Sequence, residues 1–99
     1  MILVLASFRL DTAWVQRART LILGVVATTR AEAGCIAYDV AEDVLTPGVF
    51  RVSERWESRE ALNAHLAAPH MAEWGKARGA MGMSDRSVTI YTIAGAEEL

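Results

Sequence analysis

The sequence predicts an α+β fold of the ferredoxin-like type, with the element order β-α-β-β-α-β. Three observations predict it: four segments whose side chains alternate with a period of two, two amphipathic segments with helical spacing, and turns rich in glycine or proline. In this motif the strands form an antiparallel sheet with both helices on one face. Because 99 residues is the length of one typical domain, we expect residues 1–99 to form a single domain.

The first strand and the first helix are predicted in the N-terminal third of the chain. Residues 2–10 alternate in two sets that are both largely apolar, so this strand should be covered on both faces. Asp11 or Thr12 is a candidate N-cap for a helix from about residue 12 to 31. Its apolar side carries Trp14, Ala18, Leu21, Ile22, Val25 and Val26. Gly34 then ends the helix or provides a turn.

Two strands joined by a hairpin are predicted in the middle of the chain. The alternation in the second strand separates Ile36, Tyr38 and Val40 from Cys35, Ala37 and Asp39. Residues 42–48 contain Pro-Gly and are expected to form the hairpin loop. The third strand has a polar face, with Arg51, Ser53 and Arg55, and an opposite face with Phe50, Val52, Glu54 and Trp56.

The C-terminal half contains a second helical region and the last strand. Ser58 is a candidate N-cap for a helix whose apolar side includes Leu62, His65 and Leu66. Pro69 breaks this helix, and further helical turns are expected from His70 to about Met81. Residues 87–94 are rich in β-forming residues and predict the fourth strand.

The composition argues against several classes of protein. The net charge is −2 and no basic cluster is present, so nucleic-acid binding has no electrostatic support. No segment approaches the roughly 20 apolar residues of a membrane span, and the N-terminus lacks the pattern of a secretory signal. We therefore expect a cytoplasmic protein that has no membrane partner.

Few residues are available for binding a metal or a cofactor. The single cysteine, Cys35, excludes an intramolecular disulfide and a cysteine-based metal cage. The two histidines, His65 and His70, are five residues apart and do not share a helical face. Since no glycine-rich phosphate loop is present either, we expect neither a metal nor another cofactor.

Apolar residues are more abundant than so small a domain can bury, because they make up 53% of the chain. With both helices on one side of the sheet, Leu3, Leu5, Cys35 and Ala37, or the residues alternating with them, must lie on the bare side. Two sheets packed face to face would cover these residues in both copies. The sequence therefore predicts a homodimer formed through the sheet.

Three polar residues lie on predicted apolar faces and are candidates for a functional site. Glu54 either makes a structural hydrogen bond or faces a pocket, where desolvation would raise its pKa. His65 is either a satisfied core histidine or a general base, because imidazole is a good proton acceptor near pH 7. Tyr38 requires a partner for its hydroxyl if it is buried.

Four more residues complete the candidate site. Trp56 and Trp74 are either core residues or walls for a flat ligand, and Met71 is on the same side as Trp74. His70 follows Pro69 at the start of a helical turn, where capping or surface exposure is its simplest role. Because each candidate lies on the face that meets the other layer, together they would line one cavity between the sheet and the helices.

Three short elements and their spacing resemble the antibiotic biosynthesis monooxygenase family. They are E-x-G-C-x-x-Y (Glu32 to Tyr38), E-x-W (Glu54 to Trp56) and H-x-x-x-x-H (His65 to His70). The resemblance implies a dimeric α+β barrel. In several members it also implies oxidation of phenols or hydroquinones by O2 without metal or flavin. The two-histidine helix is most similar to the small quinol-monooxygenase-like branch, which also includes an isomerase.

The sequence departs from two other branches of that family. Val52 and Leu62 stand where the polyketide-oxidising branch has asparagine and tyrosine, so only Trp56 carries over. Ser7, His65 and approximately Gly75 stand where the haem-degrading branch has its functional residues, so haem degradation is not expected.

The resulting hypothesis is a cofactor-independent monooxygenase that oxidises a hydroquinone or a polyphenol with O2. His65 would be the base, Tyr38 and Glu54 would orient it or the substrate, and Trp56, His70, Met71 and Trp74 would line the pocket. One alternative is an isomerase that uses the same His65, and another is a ligand-binding or stress-response dimer without catalysis. A phosphorylated isomerase substrate would require arginine in the pocket, for which Arg51, Arg55 and Arg78 are candidates.

Overall fold

The computed structural model describes all 99 residues and has one antiparallel sheet of four strands with helices packed against it. The strands are β1 (Ile2–Arg9), β2 (Cys35–Glu42), β3 (Val49–Trp56) and β4 (Ser84–Thr92), and their spatial order is β2-β3-β1-β4. The helices are α1 (Val15–Arg30), α2 (Arg59–Leu66) and α3 (Pro69–Ala80). The predicted ferredoxin-like α+β fold is confirmed. None of the helices combines the length and apolar character that crossing a membrane would require.

The second helical region consists of two separate helices, so the order is β-α-β-β-α-α-β. Ser58 caps α2 through its hydroxyl, which accepts a hydrogen bond from the Ala61 amide at 3.1 Å. Ala68 is extended, and Pro69 is the first residue of α3, where its fixed φ suits a helix and its missing N–H costs nothing. Pro69 therefore starts a helix as well as interrupting one.

The core lies between the sheet and the helices, as the alternation in the strands predicts. The buried residues of β3 are Phe50, Val52, Glu54 and Trp56. Antiparallel pairing with β1 places Val4 opposite Glu54 and Ile2 opposite Trp56. The helices contribute Ala18, Ile22 and Leu62 to the same cluster. Glu54 is therefore a carboxylate on the core face of a central strand.

The face assignment predicted for the start of β2 is wrong. The pairing of β2 with β3 shifts between Cys35 and Ala37, which is the signature of a β-bulge. As a result Cys35 packs against the core, whereas Ile36 is 43% exposed. The bulge restores the expected alternation from Tyr38 onward, and Tyr38 is buried.

Gly34 brings the chain between α1 and β2 close to α2. Its φ is +81°, and a Cβ atom at this position would lie 2.5 Å from the Cβ of Ala61. The Gly34 carbonyl also accepts a hydrogen bond from the Glu57 amide at 2.9 Å. A residue with a side chain would push this turn away from α2. Gly34 thus fixes the distance between α2 and the residues that follow α1.

Candidate active site

A cavity of about 370 Å³ lies between the sheet and the side of α2 and α3 that faces it. Twelve of its seventeen lining residues are hydrophobic, so the cavity suits a largely apolar ligand. The other five are Ser7, Glu54, His65, Arg78 and Arg86, and Tyr38, which is counted among the twelve, also carries a hydroxyl. A few polar groups in an apolar wall can orient one bound molecule.

His65 is held by a carboxylate on one side and faces a second carboxylate on the other. It lies on the buried face of α2 with Leu62, three residues earlier, and is 1% exposed. Its Nδ1 atom is 2.9 Å from Oε2 of Glu32, and its Nε2 atom is 3.9 Å from Oε1 of Glu54. The Glu32 contact favours the tautomer that carries its proton on Nδ1 and leaves Nε2 free to accept one.

Glu54 is paired with Trp56 through a buried hydrogen bond. The indole Nε1–H donates to Oε1 of Glu54 at 2.9 Å. Burial raises the pKa of the Glu54 carboxyl above its ordinary value, and this effect is partly opposed by the Trp56 hydrogen bond and by nearby His65. Glu54 is thus a desolvated acid beside the imidazole.

Tyr38 contributes a phenolic hydroxyl that stays protonated. Burial strongly raises its pKa, and the charges of Glu54 and Glu32 raise it further. Its ring centroid lies 5.6 Å from that of His65. In this setting Tyr38 can donate a hydrogen bond to a ligand but cannot serve as a base near neutral pH.

His70 does not have the exposed position that the sequence predicts. Its side chain is 19% exposed, and its Nε2 atom is 3.1 Å from Oγ1 of Thr29 and 3.4 Å from Oε1 of Glu32. The prediction is wrong because α3 begins at Pro69 and turns back toward the end of α1. His65 and His70 consequently contact the same carboxylate from two different helices.

The structure separates the predicted site residues into two groups. Five of them line the cavity: Tyr38, Glu54, His65, Met71 and Trp74. Trp56 and His70 lie outside its wall. Trp56 is fully buried beneath the site, with its ring centroid 4.8 Å from that of His65, because its indole turns inward to reach Glu54.

Sequence reasoning did not assign a role to Glu32 and did not consider Arg86. Glu32 is the first residue of the E-x-G-C-x-x-Y element, so the motif included it. Its orientation depends on the turn after α1, where its amide bonds the Thr29 carbonyl at 3.0 Å. Arg86 was missed because β4 begins at Ser84, three residues before the predicted start.

Glu32, His65 and His70 are also the residues that could hold a metal ion. One ligand atom from each lies within 4.8 Å of the others. The five-residue separation of His65 and His70 therefore does not exclude a metal site, since the two histidines come from different helices. Carboxylate and imidazole suit zinc and similar cations, and binding would require the three atoms to move closer together.

Comparison with known proteins identifies the family. Residues 1–77 match the family model described as antibiotic biosynthesis monooxygenase. The chain belongs to the antibiotic biosynthesis monooxygenase family. The resemblance carried by the three short sequence elements is thereby confirmed.

Individual proteins of known sequence or structure also match most or all of the chain. Rv0793 from Mycobacterium tuberculosis, which carries a provisional assignment as a monooxygenase, is 33% identical over 81 residues, or 81% of this chain and 76% of Rv0793. Its solved structure has a TM-score of 0.87 at 28% identity and covers 98% of both chains. A provisionally assigned family member from Deinococcus radiodurans has a TM-score of 0.94 at 27% identity, covering 100% of this chain and 98% of that one.

Proposed function

We propose that this protein is a monooxygenase that uses O2 to oxidise a small electron-rich aromatic molecule, a hydroquinone or a polyphenol. Its family and the provisional assignment of Rv0793 support the reaction class. The observation that carries the proposal is His65, paired with Glu32 through Nδ1 and placed in the wall of an apolar cavity. A paired imidazole in an apolar cavity is equipped to remove a proton from a phenol.

The first step is deprotonation of the substrate hydroxyl by Nε2 of His65. Glu32 stabilises the imidazolium that forms, in the way that a carboxylate partner supports a catalytic histidine. Tyr38 donates a hydrogen bond to a substrate oxygen, and Met71 and Trp74 contact the ring from α3. Glu54 lies beside Nε2 and helps to orient the imidazole. Trp56 acts indirectly, by holding Glu54.

The deprotonated ring then supplies the electrons for oxygen reduction. A hydroquinone that reacts with one O2 gives a hydroxyquinone and one water: one oxygen atom enters the ring, the other leaves as water, and the substrate provides all four electrons. We propose that no metal or flavin is needed, because an electron-rich phenolate can transfer electrons to O2 directly. The protein supplies the base, the orientation of the ring and an apolar cavity that binds it.

A second candidate function is favoured by the two arginines in the cavity wall. Arg78 and Arg86 suit an anionic substrate, as an isomerase acting on a phosphorylated molecule would require. The same His65 would then move a proton between two positions of the substrate. Such a reaction consumes no oxygen, so oxygen uptake separates it from the proposed oxidation.

We also propose that the protein acts as a homodimer formed through the outer face of the sheet. Leu5 and Tyr91 lie on the face away from the helices and are each 44% exposed in the single chain. Leu3 is the neighbour of Tyr91 across the β1–β4 pair and extends this apolar surface. A second sheet packed on this face would bury all three residues.

The experiment that tests the proposed function is oxygen uptake by purified, metal-depleted protein with a panel of hydroquinones, naphthols and anthrones. We expect uptake with at least one class, unchanged by a chelator and lost in His65→Ala. Uptake that a chelator abolishes and one metal restores would overturn cofactor independence. An absence of uptake across the panel would overturn the oxygenase, and substrate conversion without oxygen would favour the isomerase.

A further inference from the structure

Two arginines in the cavity wall have no acidic partner. Arg78 makes one hydrogen bond from its guanidinium, to the sulfur of Met83 at 3.4 Å. Neither Arg78 nor Arg86 forms a salt bridge. Arg17, Arg55 and Arg59 also lack one, but Arg78 and Arg86 are the two arginines that line the cavity. The cavity therefore contains guanidinium donors that no protein group uses.

The two arginines line the same cavity, where the positive charge of one acts on the other. Burial lowers the pKa of Arg78, and the positive charge of Arg86 lowers it further. Two like charges in one cavity wall repel each other, and an anion bound between them would remove that repulsion.

The arginines lie at the opposite end of the cavity from the proposed base. Ile90 of β4 pairs with Val4, and Val4 also pairs with Glu54, which places Ile90 beside the His65 end. Arg86 is four residues earlier on the same strand and also faces the cavity, about 13 Å away along the strand. The cavity thus has an imidazole and carboxylates at one end and guanidinium groups at the other.

We propose that Arg78 and Arg86 form an anion subsite that binds a carboxylate or phosphate group of the substrate, so the substrate is an anionic aromatic molecule. A guanidinium donates two parallel hydrogen bonds to such oxyanions, and the apolar stretch between the two ends accommodates the ring. The phenolic hydroxyl then lies at His65 and the anionic group at the arginines. The identity of the substrate depends on the proposed function, but binding of the anion does not.

The test measures binding of three matched probes by isothermal titration calorimetry: 2-naphthoate, 2-naphthyl phosphate and the uncharged 2-naphthamide. The wild-type protein should bind at least one anionic probe about tenfold or more tightly than the amide. Arg78→Met and Arg86→Met should each reduce this preference, and the double variant should lose it while still binding the amide. Lys76→Met, which removes an exposed charge from the same helix, should keep it.

The preference should also weaken as salt is raised, because it arises from charge. A preference for carboxylate over phosphate, or the reverse, identifies which group the subsite takes.

If the double variant does not fold, the single Arg86→Met variant tests whether the preference for anions depends on the arginines, since Arg86 is exposed. His65→Ala should retain the preference without turnover, so loss of oxidation and loss of anion binding are separable. Equal wild-type binding of all three probes, or an unchanged preference in the arginine variants, would overturn the subsite.

Discussion

Nδ1 of His65 and Oε2 of Glu32 lie 2.9 Å apart although 33 residues separate them in the chain. Glu32 is placed by the turn that follows α1, and His65 by the buried face of α2. Gly34 lets these two parts of the chain approach, because any side chain there would meet Ala61. The geometry of the proposed base therefore depends on a turn outside the cavity.

The first prediction concerns the tautomer of His65. Glu32→Gln should reduce kcat/KM by about tenfold to 100-fold, because a glutamine amide can donate to Nδ1 and thereby favour the proton on Nε2, where the base must be free. Steady-state kinetics with the best substrate of the oxygen-uptake panel measure the effect. Glu57→Gln, at an exposed position before α2, is the control and should leave the rate unchanged. Equal rates for both variants would show that Glu32 has no part in the reaction.

The second prediction separates the two histidines. His65→Ala should reduce the rate roughly 10²–10⁴-fold, the usual contribution of a positioned base. His70→Ala should cost less, because His70 lies outside the cavity wall and reaches the site only through Glu32. Circular dichroism must show that both variants are folded, since His65 is buried. A nearly unaffected His65 variant, or a greater loss at His70, would reverse the assignment.

The third prediction uses the raised pKa of Glu54. A carboxyl whose pKa is higher in the folded than in the unfolded chain binds its proton more tightly when folded. It therefore stabilises the fold at low pH, and this contribution is lost as the pH rises through the folded pKa. Relative to Glu54→Gln, which does not titrate, the wild-type free energy of unfolding should decline as the pH rises above the ordinary value of 4.5. Urea unfolding at a series of pH values measures this difference.

Glu54→Gln is a suitable reference because the amide oxygen can still accept the hydrogen bond from Trp56. Glu54→Leu removes that acceptor and should lose activity even where it folds. Parallel stability curves for wild type and Glu54→Gln would show that folding does not shift the Glu54 pKa. Full activity in Glu54→Leu would remove Glu54 from the site.

The fourth prediction tests the dimer. Sedimentation velocity at micromolar concentration should show a dimer, and Leu5→Lys should weaken it, because the charge would lie in the sheet-to-sheet interface. Leu23→Lys is the matched control: Leu23 is 71% exposed on α1 and should tolerate the change. The interface should bury at least about 1,200–2,000 Å². A wild-type monomer, or a dimer that Leu5→Lys leaves intact, would contradict the sheet interface.

The sheet could be predicted because alternation along a strand depends on local geometry alone. Phe50, Val52, Glu54 and Trp56 share a buried face in the structure as they do in the pattern. The bulge after Cys35 breaks that rule, and no residue type at this position signals it. For the same reason the sequence placed Ile36 on the wrong face.

The site was only partly predictable because several of its contacts depend on turns. His65 could be found from the helical spacing with Leu62. The approach of His70 to Glu32 requires the change of direction at Pro69, whose angle the sequence does not specify. Arg86 enters the cavity because β4 starts at Ser84, and strand ends are poorly defined by sequence pattern.

The most direct test of the proposed oxidation is the fate of oxygen during turnover under ¹⁸O2. With an oxidisable substrate, we expect one labelled oxygen atom in the product and the other in water, with one O2 consumed for each substrate molecule. The label should be incorporated at the wild-type rate in Glu57→Gln and far more slowly in His65→Ala. A product that contains only unlabelled oxygen, or one that forms equally fast without O2, would contradict the proposed oxidation.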